Sequence, residues 1–276
     1  GVPLHWLVVD YGWRQVMAVS AIFPILVGLL IWLYVRDDPA EKGYQTHITH
    51  EPSVPQHPWS RAISGLLEVF GYRNTWLLML VPGGAAGSIL TFSGLWGVPF
   101  LTTHHAMSKG DAAAVCSAML IAWAIGGPVF GALSDRLGLR RPLYIAGSGI
   151  IVLCWGLIVV WPDMPLTLLI TLLILSGFAS GCMIIGFAFA KESVPGRLAG
   201  TVSGVVNMGV MMGPMFLQPA VGWMLDRGWQ TELLHGVRVF GVSAYQSGFL
   251  LLLAWAIASL LLVLFTRETG ATQAVH

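Results

Sequence analysis

Long apolar runs alternate with short polar segments along this 276-residue chain. Seven runs reach the roughly 20 residues that a helix needs to cross a bilayer: 15–35, 76–102, 112–133, 143–161, 165–190, 198–225 and 243–265. An apolar stretch at 1–9 reads as the tail of a further helix whose start is missing. It begins at Gly1 without Met and carries no signal-peptide pattern, so the chain is expected to be a piece of a longer one. Charge and proline mark the boundaries. The first full span stops at Val35-Arg36-Asp37-Asp38-Pro39, and Pro82-Gly83-Gly84 interrupts the second. Residues 36–75 form the one long polar segment, with Pro39, Pro52, Pro55 and Pro58, and read as a flexible linker. Within it Trp59, Ile63, Leu66, Leu67 and Phe70 recur at helical spacing, which predicts a short helix lying in the membrane interface.

Between two uncharged runs, 112–133 and 143–161, lies Gly131-Ala132-Leu133-Ser134-Asp135-Arg136-Leu137-Gly138-Leu139-Arg140-Arg141. Gly131 lets a neighbouring helix come close, and Gly138 lets the backbone reverse. Asp135 falls at a helix end, where a carboxylate meets free backbone N–H groups. Arg136, Arg140 and Arg141 place dense positive charge on one side of the membrane, which predicts that this side is cytoplasmic. The spacing G-x-L-x-D-R-x-G-x-R-R resembles the signature loop of the major facilitator superfamily of secondary transporters. Leu139 stands where a basic residue is usual, with arginines following it.

The resemblance implies an all-α polytopic membrane protein of that family's helical-bundle type, comprising the C-terminal six-helix half plus one preceding helix. Residues 1–35 are then the end of the N-terminal half, 36–75 the central cytoplasmic linker and 76–276 the C-terminal half. It also implies that the signature loop, through Gly131, Asp135, Arg136, Gly138, Arg140 and Arg141, latches one conformation. Asp135 would meet the cytoplasmic end of the fifth helix, which belongs to the absent N-terminal half.

Composition agrees with a membrane protein. Mean hydropathy is +0.76 and 10% of residues are charged. A net charge of +1 gives no sign of a nucleic-acid partner. Cys116, Cys154 and Cys182 fall inside apolar spans and read as buried hydrophobes. His47, His50 and His57 fit no standard ligand spacing, so no metal or cofactor is expected. If the signature loop is cytoplasmic, alternation places Arg36, Lys42, Arg61, Arg73, Arg136, Arg140, Arg141, Lys191, Arg197 and Arg267 on that side. Only Arg14, Lys109, Arg227 and Arg238 fall on the other. That imbalance places the linker and the C-terminus in the cytoplasm, with a bacterial inner membrane as the expected location.

Two internal similarities support the same architecture. Asp10-Tyr11-Gly12-Trp13-Arg14 is echoed by Asp226-Arg227-Gly228-Trp229-Gln230, six span-to-span steps later on the same side. Gly222-x-x-x-Asp226-Arg227-Gly228 echoes Gly131-x-x-x-Asp135-Arg136-x-Gly138 from the opposite side, as an inverted three-helix repeat would.

No Asp, Glu, Lys, Arg or His lies in the middle of a complete span. A proton-coupling group, if there is one, is therefore expected in the missing half. The candidates for a substrate cavity are neutral: Ser88, Thr91 and Trp96 on the second span, Trp123 on the third, Ser180 on the fifth, and Asn207, Met211 and Gln218 on the sixth. The two amides either bind solute or bond between helices, because an unpaired amide in lipid costs ~2–7 kcal/mol. Pairs such as Gly83/Gly87, Gly127/Gly131, Gly177/Gly181, Gly200/Gly204 and Gly209/Gly213 predict close helix packing.

The expected function is movement of a small organic solute across the membrane by alternating access. Proton or other ion coupling is expected, with symport, antiport and uniport left open. A seven-span receptor or sensor is the alternative. An enzyme is not expected, as H-E-x-x-H, G-x-S-x-G and intramembrane Asp pairs are absent.

Overall fold

The structure is a computed structural model that describes residues 2–36, 42–43, 58–230, 233–234 and 237–272. Nearly half of the polar linker, 37–41 and 44–57, lies outside these residues, including His47, His50 and His57. The chain forms two compact units, residues 1–61 and 62–276. Among the described residues, seven helical spans are long and apolar enough to cross a membrane.

The first unit holds α1 (Val2–Tyr11) and α2 (Trp13–Tyr34). They meet at Gly12, whose φ of 78° is left-handed and accessible to glycine without strain. Within α2 only Val16 is buried, so almost the whole apolar surface of the helix faces outward. Such a helix is stable only against lipid or further protein.

The boundary between the units falls within α3 (Pro58–Val69), a helix where the sequence predicts a short one. Trp59, Ile63 and Leu67 are exposed along one side, while Val69 is fully buried. The next span is broken into α4 (Arg73–Leu80), α5 (Pro82–Thr91), a π-helical turn (Phe92–Trp96) and α6 (Gly97–His104). Proline explains the first break, since it removes a donor and crowds the preceding turn. At Val81 the backbone stays right-handed, so the break kinks the span without interrupting it. The π turn was not visible in the pattern. It lies just ahead of Pro99, and Gly97 N–H reaches back to the Phe92 carbonyl, one residue further than in an α-helix.

Five further spans complete the unit. They are α7 (Lys109–Leu137), α8 (Arg141–Val160), the pair α9 (Leu166–Ser180) and α10 (Met183–Glu192), and α11 (Ala199–Arg227) followed by α12 (Val242–Leu264). A two-residue antiparallel ladder, β1 (Leu233–Leu234) with β2 (Val237–Arg238), occupies the segment before α12 that reads as a plain loop in the sequence.

Two glycine crossings hold the bundle together. On α11, Gly209 faces the Met79 carbonyl and Gly213 faces Gly83 and Gly87 of α5, so close that a methyl group on either would collide with backbone. Likewise Gly126 of α7 sits against the Phe178 carbonyl, and Gly181 sits against Gly126. Backbone contact of this kind replaces the hydrophobic driving force that lipid does not supply. Not every predicted pair takes part. A methyl on Gly127, Gly200 or Gly204 would meet nothing within 4 Å. Between the crossings lies an aromatic knot in which Phe92, Phe100, Trp155 and Phe249 meet edge to face at 5.1–6.2 Å.

Gly209→Ala is therefore expected to destabilise the protein by about 1–3 kcal/mol. Gly204→Ala, in open space, should stay within about 0.5 kcal/mol of the parent. Thermal unfolding of the detergent-solubilised full-length protein distinguishes the two.

Candidate functional site

The signature loop owes its shape to Gly138, which caps α7 in the left-handed region (φ 64°, ψ 25°). Its N–H and that of Leu139 both return to the Ser134 carbonyl. The reversal brings Arg140 back against the last turn of α7. There its Nη1 donates to Asp135 Oδ1 at 2.6 Å and to Ser134 Oγ at 2.9 Å. The other edge of the guanidinium engages Glu192, at the end of α10, through Nε at 3.0 Å and Nη2 at 2.6 Å. A planar fork suits this double engagement, because its donors point in fixed directions. The two arms differ in environment. The side chains of Arg140 and Glu192 are 7% and 14% exposed, against 68% for Asp135. The Glu192 bonds, aided by Asp135, raise the Arg140 pKa above its ordinary value even though burial opposes this.

A second carboxylate closes the site from the chain segment after α12. Glu268 accepts the backbone N–H of Arg140 at 3.1 Å and that of Arg141 at 2.7 Å, at the start of α8. A carboxylate at a helix N-terminus satisfies orphan donors and meets the positive end of the dipole. Burial pushes the Glu268 carboxyl up, but the N–H groups of Gly270, Arg141, Arg140 and Thr269 outweigh it and hold its pKa below the ordinary value. The stabilisation it adds is therefore complete above pH ~4.3 and is lost as pH falls through the lowered value. Thr269 Oγ1 donates to Glu192 Oε2 at 2.6 Å, which joins both carboxylates into one network.

Neighbouring bonds extend it to α4. Asn74 Nδ2 donates to Ser193 Oγ at 2.8 Å and to the Arg267 carbonyl at 3.0 Å, and Asn74 Oδ1 accepts the Arg267 N–H at 3.0 Å. The start of α4, the α7–α8 turn, the end of α10 and the end of α12 are thus tied at one end of the second unit. A methyl group on Gly131, one turn above the site, would stand 3.6 Å from Ile184 Cγ2, an ordinary contact. Arg136 is exposed, and Arg141 Nη2 donates to the Leu264 carbonyl at 2.5 Å.

The opposite end carries the second copy of the pattern. Asp226 pairs with Arg238 at 2.7 Å, but both side chains are more than half exposed. Arg227 and Arg238 lie over the rings of Trp223 and Trp229.

The cavity candidates do not converge on one place. Ser88 and Ser180 are buried, and their hydroxyls are spent on carbonyls of their own helices. Thr91 is buried with no partner for its hydroxyl among the described residues. Trp123 is partly buried against the core. Trp96 and Gln218 do meet. Trp96 Nε1 donates to the Gln218 carbonyl at 3.2 Å, and Gln218 Nε2 donates to the Leu90 carbonyl at 3.1 Å. Gln218 therefore bonds between helices at the π turn. Asn207 and Met211 are exposed, on a stripe of α11 that includes Met208 and Met215.

This geometry can be set beside known proteins. A family model described as Major Facilitator Superfamily matches residues 2–208 and, in a second register, residues 83–275. The chain belongs to the Major Facilitator Superfamily. Relatives include a cis,cis-muconate transport protein of Acinetobacter baylyi, 25% identical over 226 residues, which are 81% of this chain and 52% of that protein. Another is multidrug resistance protein D of Escherichia coli, 27% identical over 157 residues, covering 55% of this chain and 38% of that one. The inward-open xylose transporter XylE from E. coli superposes with a TM-score of 0.57 at 16% identity, over 72% of this chain and 48% of that one. A bacterial homologue of the human lysosomal transporter Spinster, inward-facing and unoccupied, gives 0.55 at 21%, over 92% and 57%. These likenesses establish the fold. The chain spans about half the length of the relatives it matches, or less. As a superfamily member with seven apolar spans it is an integral membrane protein.

The loop motif alone does not reveal Glu192, Glu268, Thr269 or Asn74. The signal available was parity, because all four fall in segments that alternation places on the side of the signature loop.

Glu192→Gln leaves Arg140 buried with one exposed carboxylate, and is expected to cost on the order of 3 kcal/mol. Asp135→Asn, at an exposed arm, should cost less than about 1 kcal/mol. Unfolding midpoints of the two variants measured side by side test that order.

Proposed function

We propose that this chain is the C-terminal part of a secondary transporter that moves a small organic solute by alternating access. Residues 1–35 close the N-terminal half, 36–75 form the central cytoplasmic linker, and 76–276 form the second half. The Arg140 end faces the cytoplasm, in a bacterial inner membrane. The observation that carries the reading is Arg140 shared between Asp135 and Glu192, with Glu268 beneath it. Four helix ends meet in that network, and it can hold that end of the half as one body or release it.

Alternating access requires two arrangements of nearly equal free energy. The network supplies a contact that can be made in one and broken in the other. Asp135 suits the role of a switch contact. Its exposed carboxylate contributes little within this half, so it remains available to a helix end from the upstream half. The exposed stripe of α11 would form part of the pathway wall. Asn207 would offer an amide to the solute, and Met211 an adaptable apolar surface. With no Asp, Glu, Lys, Arg or His in mid-span here, coupling protons and any counter-charge to an anionic solute would come from the upstream half. The names of the relatives suggest organic acids, sugars and amphiphilic drugs as the first solutes to try.

The test is uptake by cells that express the full-length gene. Solute accumulation above vector controls is expected. Asp135→Asn should lower it about tenfold, or ~1.4 kcal/mol, at unchanged membrane expression. Parental uptake by a well-expressed Asp135→Asn protein would sink the latch role, and no uptake of any solute by the parent would favour a receptor.

A further inference from the structure

The end of the second unit opposite Arg140 carries two adjacent imidazoles, His104 and His105, where α6 gives way to α7. Among the residues whose side chains are described they are the only histidines, and histidine alone ordinarily changes charge between pH 5 and 8. Nothing in the transport reading uses them.

Their surroundings are built. His104 Nε2 lies 3.0 Å from the Phe240 carbonyl, just ahead of α12. Its ring meets Tyr245 of α12 at 5.3 Å and Phe100 of its own helix at 5.6 Å. Phe240 in turn packs on Trp96 and Tyr245. His105 meets Phe100 at 5.4 Å and lines a small cavity with Trp161, Met164 and Gln246. His104 thus supplies the polar contact between the end of α6 and the segment leading into α12, and His105 stands beside it on the cavity. The next residue, Ala106, has a φ of 50°. A left-handed alanine costs roughly 1–2 kcal/mol, so the docked turn holds strain that undocking would release.

The charged and titratable neighbours are few. From α6 each imidazole faces the other, and from α12 the facing group is Tyr245. The segment before α12 presents a carbonyl. At the start of α7, Asp111 is engaged by Ser108, and Lys109 is exposed; the turn before α9, which lines the cavity through Trp161, Pro162 and Met164, carries Asp163, also exposed. Among the described residues no carboxylate lies within ion-pair distance of either ring. Among the described residues a proton added here meets a second imidazole next door and no counter-ion within ion-pair distance.

We propose that His104 and His105 form a proton-binding site whose occupation releases the end of α6 from α12. Neutral His104 already donates Nε2–H to Phe240, so docking needs no charge. Burial pushes the His105 imidazole below its ordinary value. The sign follows. Docking is fully stabilised above the ordinary histidine value of about 6.5 and weakens as pH falls through the lowered one. The site is a pH-sensitive clasp on the face opposite the signature loop, separate from whatever group couples transport.

The experiment uses the full-length protein in lipid nanodiscs with spin labels at Thr103 and Ser243, both exposed, one on each side of the contact. Between pH 8 and pH 5 the longer-distance population should grow about fivefold or more, an equilibrium change of ~1 kcal/mol. The double variant His104→Gln, His105→Gln keeps an amide donor for Phe240 and cannot titrate. It should hold the short distance at both pH values. An unchanged distance distribution in the parent would overturn the proposal without recourse to the variant, and so would a pH response that survives in the variant. The readout is a distance, so it stands or falls independently of uptake.

Discussion

A guanidinium shut away from water must be paired, and Arg140 shows what that requirement does to a structure. Moving its charge out of water costs several kcal/mol, which is recovered only if almost every donor is used. Glu192 takes two donors, Asp135 and Ser134 take another, and Glu268 fixes the backbone that carries the side chain. These partners come from three separate places in the chain. Satisfying one arginine therefore forces the α7–α8 turn, the end of α10 and the segment after α12 into register. The exposed Asp226–Arg238 pair at the other end resembles it in sequence but carries no such obligation. Water serves either partner equally well there.

Between their ends the spans carry no charged side chain, and lipid removes the hydrophobic incentive for helices to associate. Close packing takes its place. Gly209 and Gly213 admit α4 and α5, and Gly126 and Gly181 let α7 meet the α9–α10 pair, with backbone against backbone. Contacts this short do not stretch gradually. The second unit is therefore held by backbone crossings along its length and by side-chain bonds at its ends, the Arg140 network at one and the His104 contact at the other. The kinks at Pro82, at the π turn and at Gly181 divide the two longest broken spans into shorter pieces between these ends.

Much of this was legible in the sequence. The seven apolar runs match the helical spans to within a few residues, since bilayer thickness sets their length. The signature loop could be read because its glycines and charges are local. Arg140 was visible there, but its partner Glu192 lies 52 residues on, and Glu268 lies 128 residues away from it. Spacing along the chain has no bearing on such pairs. Ser88 and Ser180 illustrate a different limit. A serine on an apolar helix reads the same whether its hydroxyl faces a pathway or its own backbone, and here both are spent internally. Gly127 and Gly131 fit the small-residue spacing, yet the close contact falls to Gly126, because the crossing point depends on where α9 lies.

The measurement that tests the account most directly is a double-mutant cycle on Arg140 and Glu192, read from the unfolding free energy of the full-length protein. Arg140→Gln and Glu192→Gln, singly and together, should show a coupling of at least ~1.5 kcal/mol, with the double variant more stable than the single variants imply. A coupling near zero would mean that these groups touch without depending on each other, and the network could not hold that end of the fold.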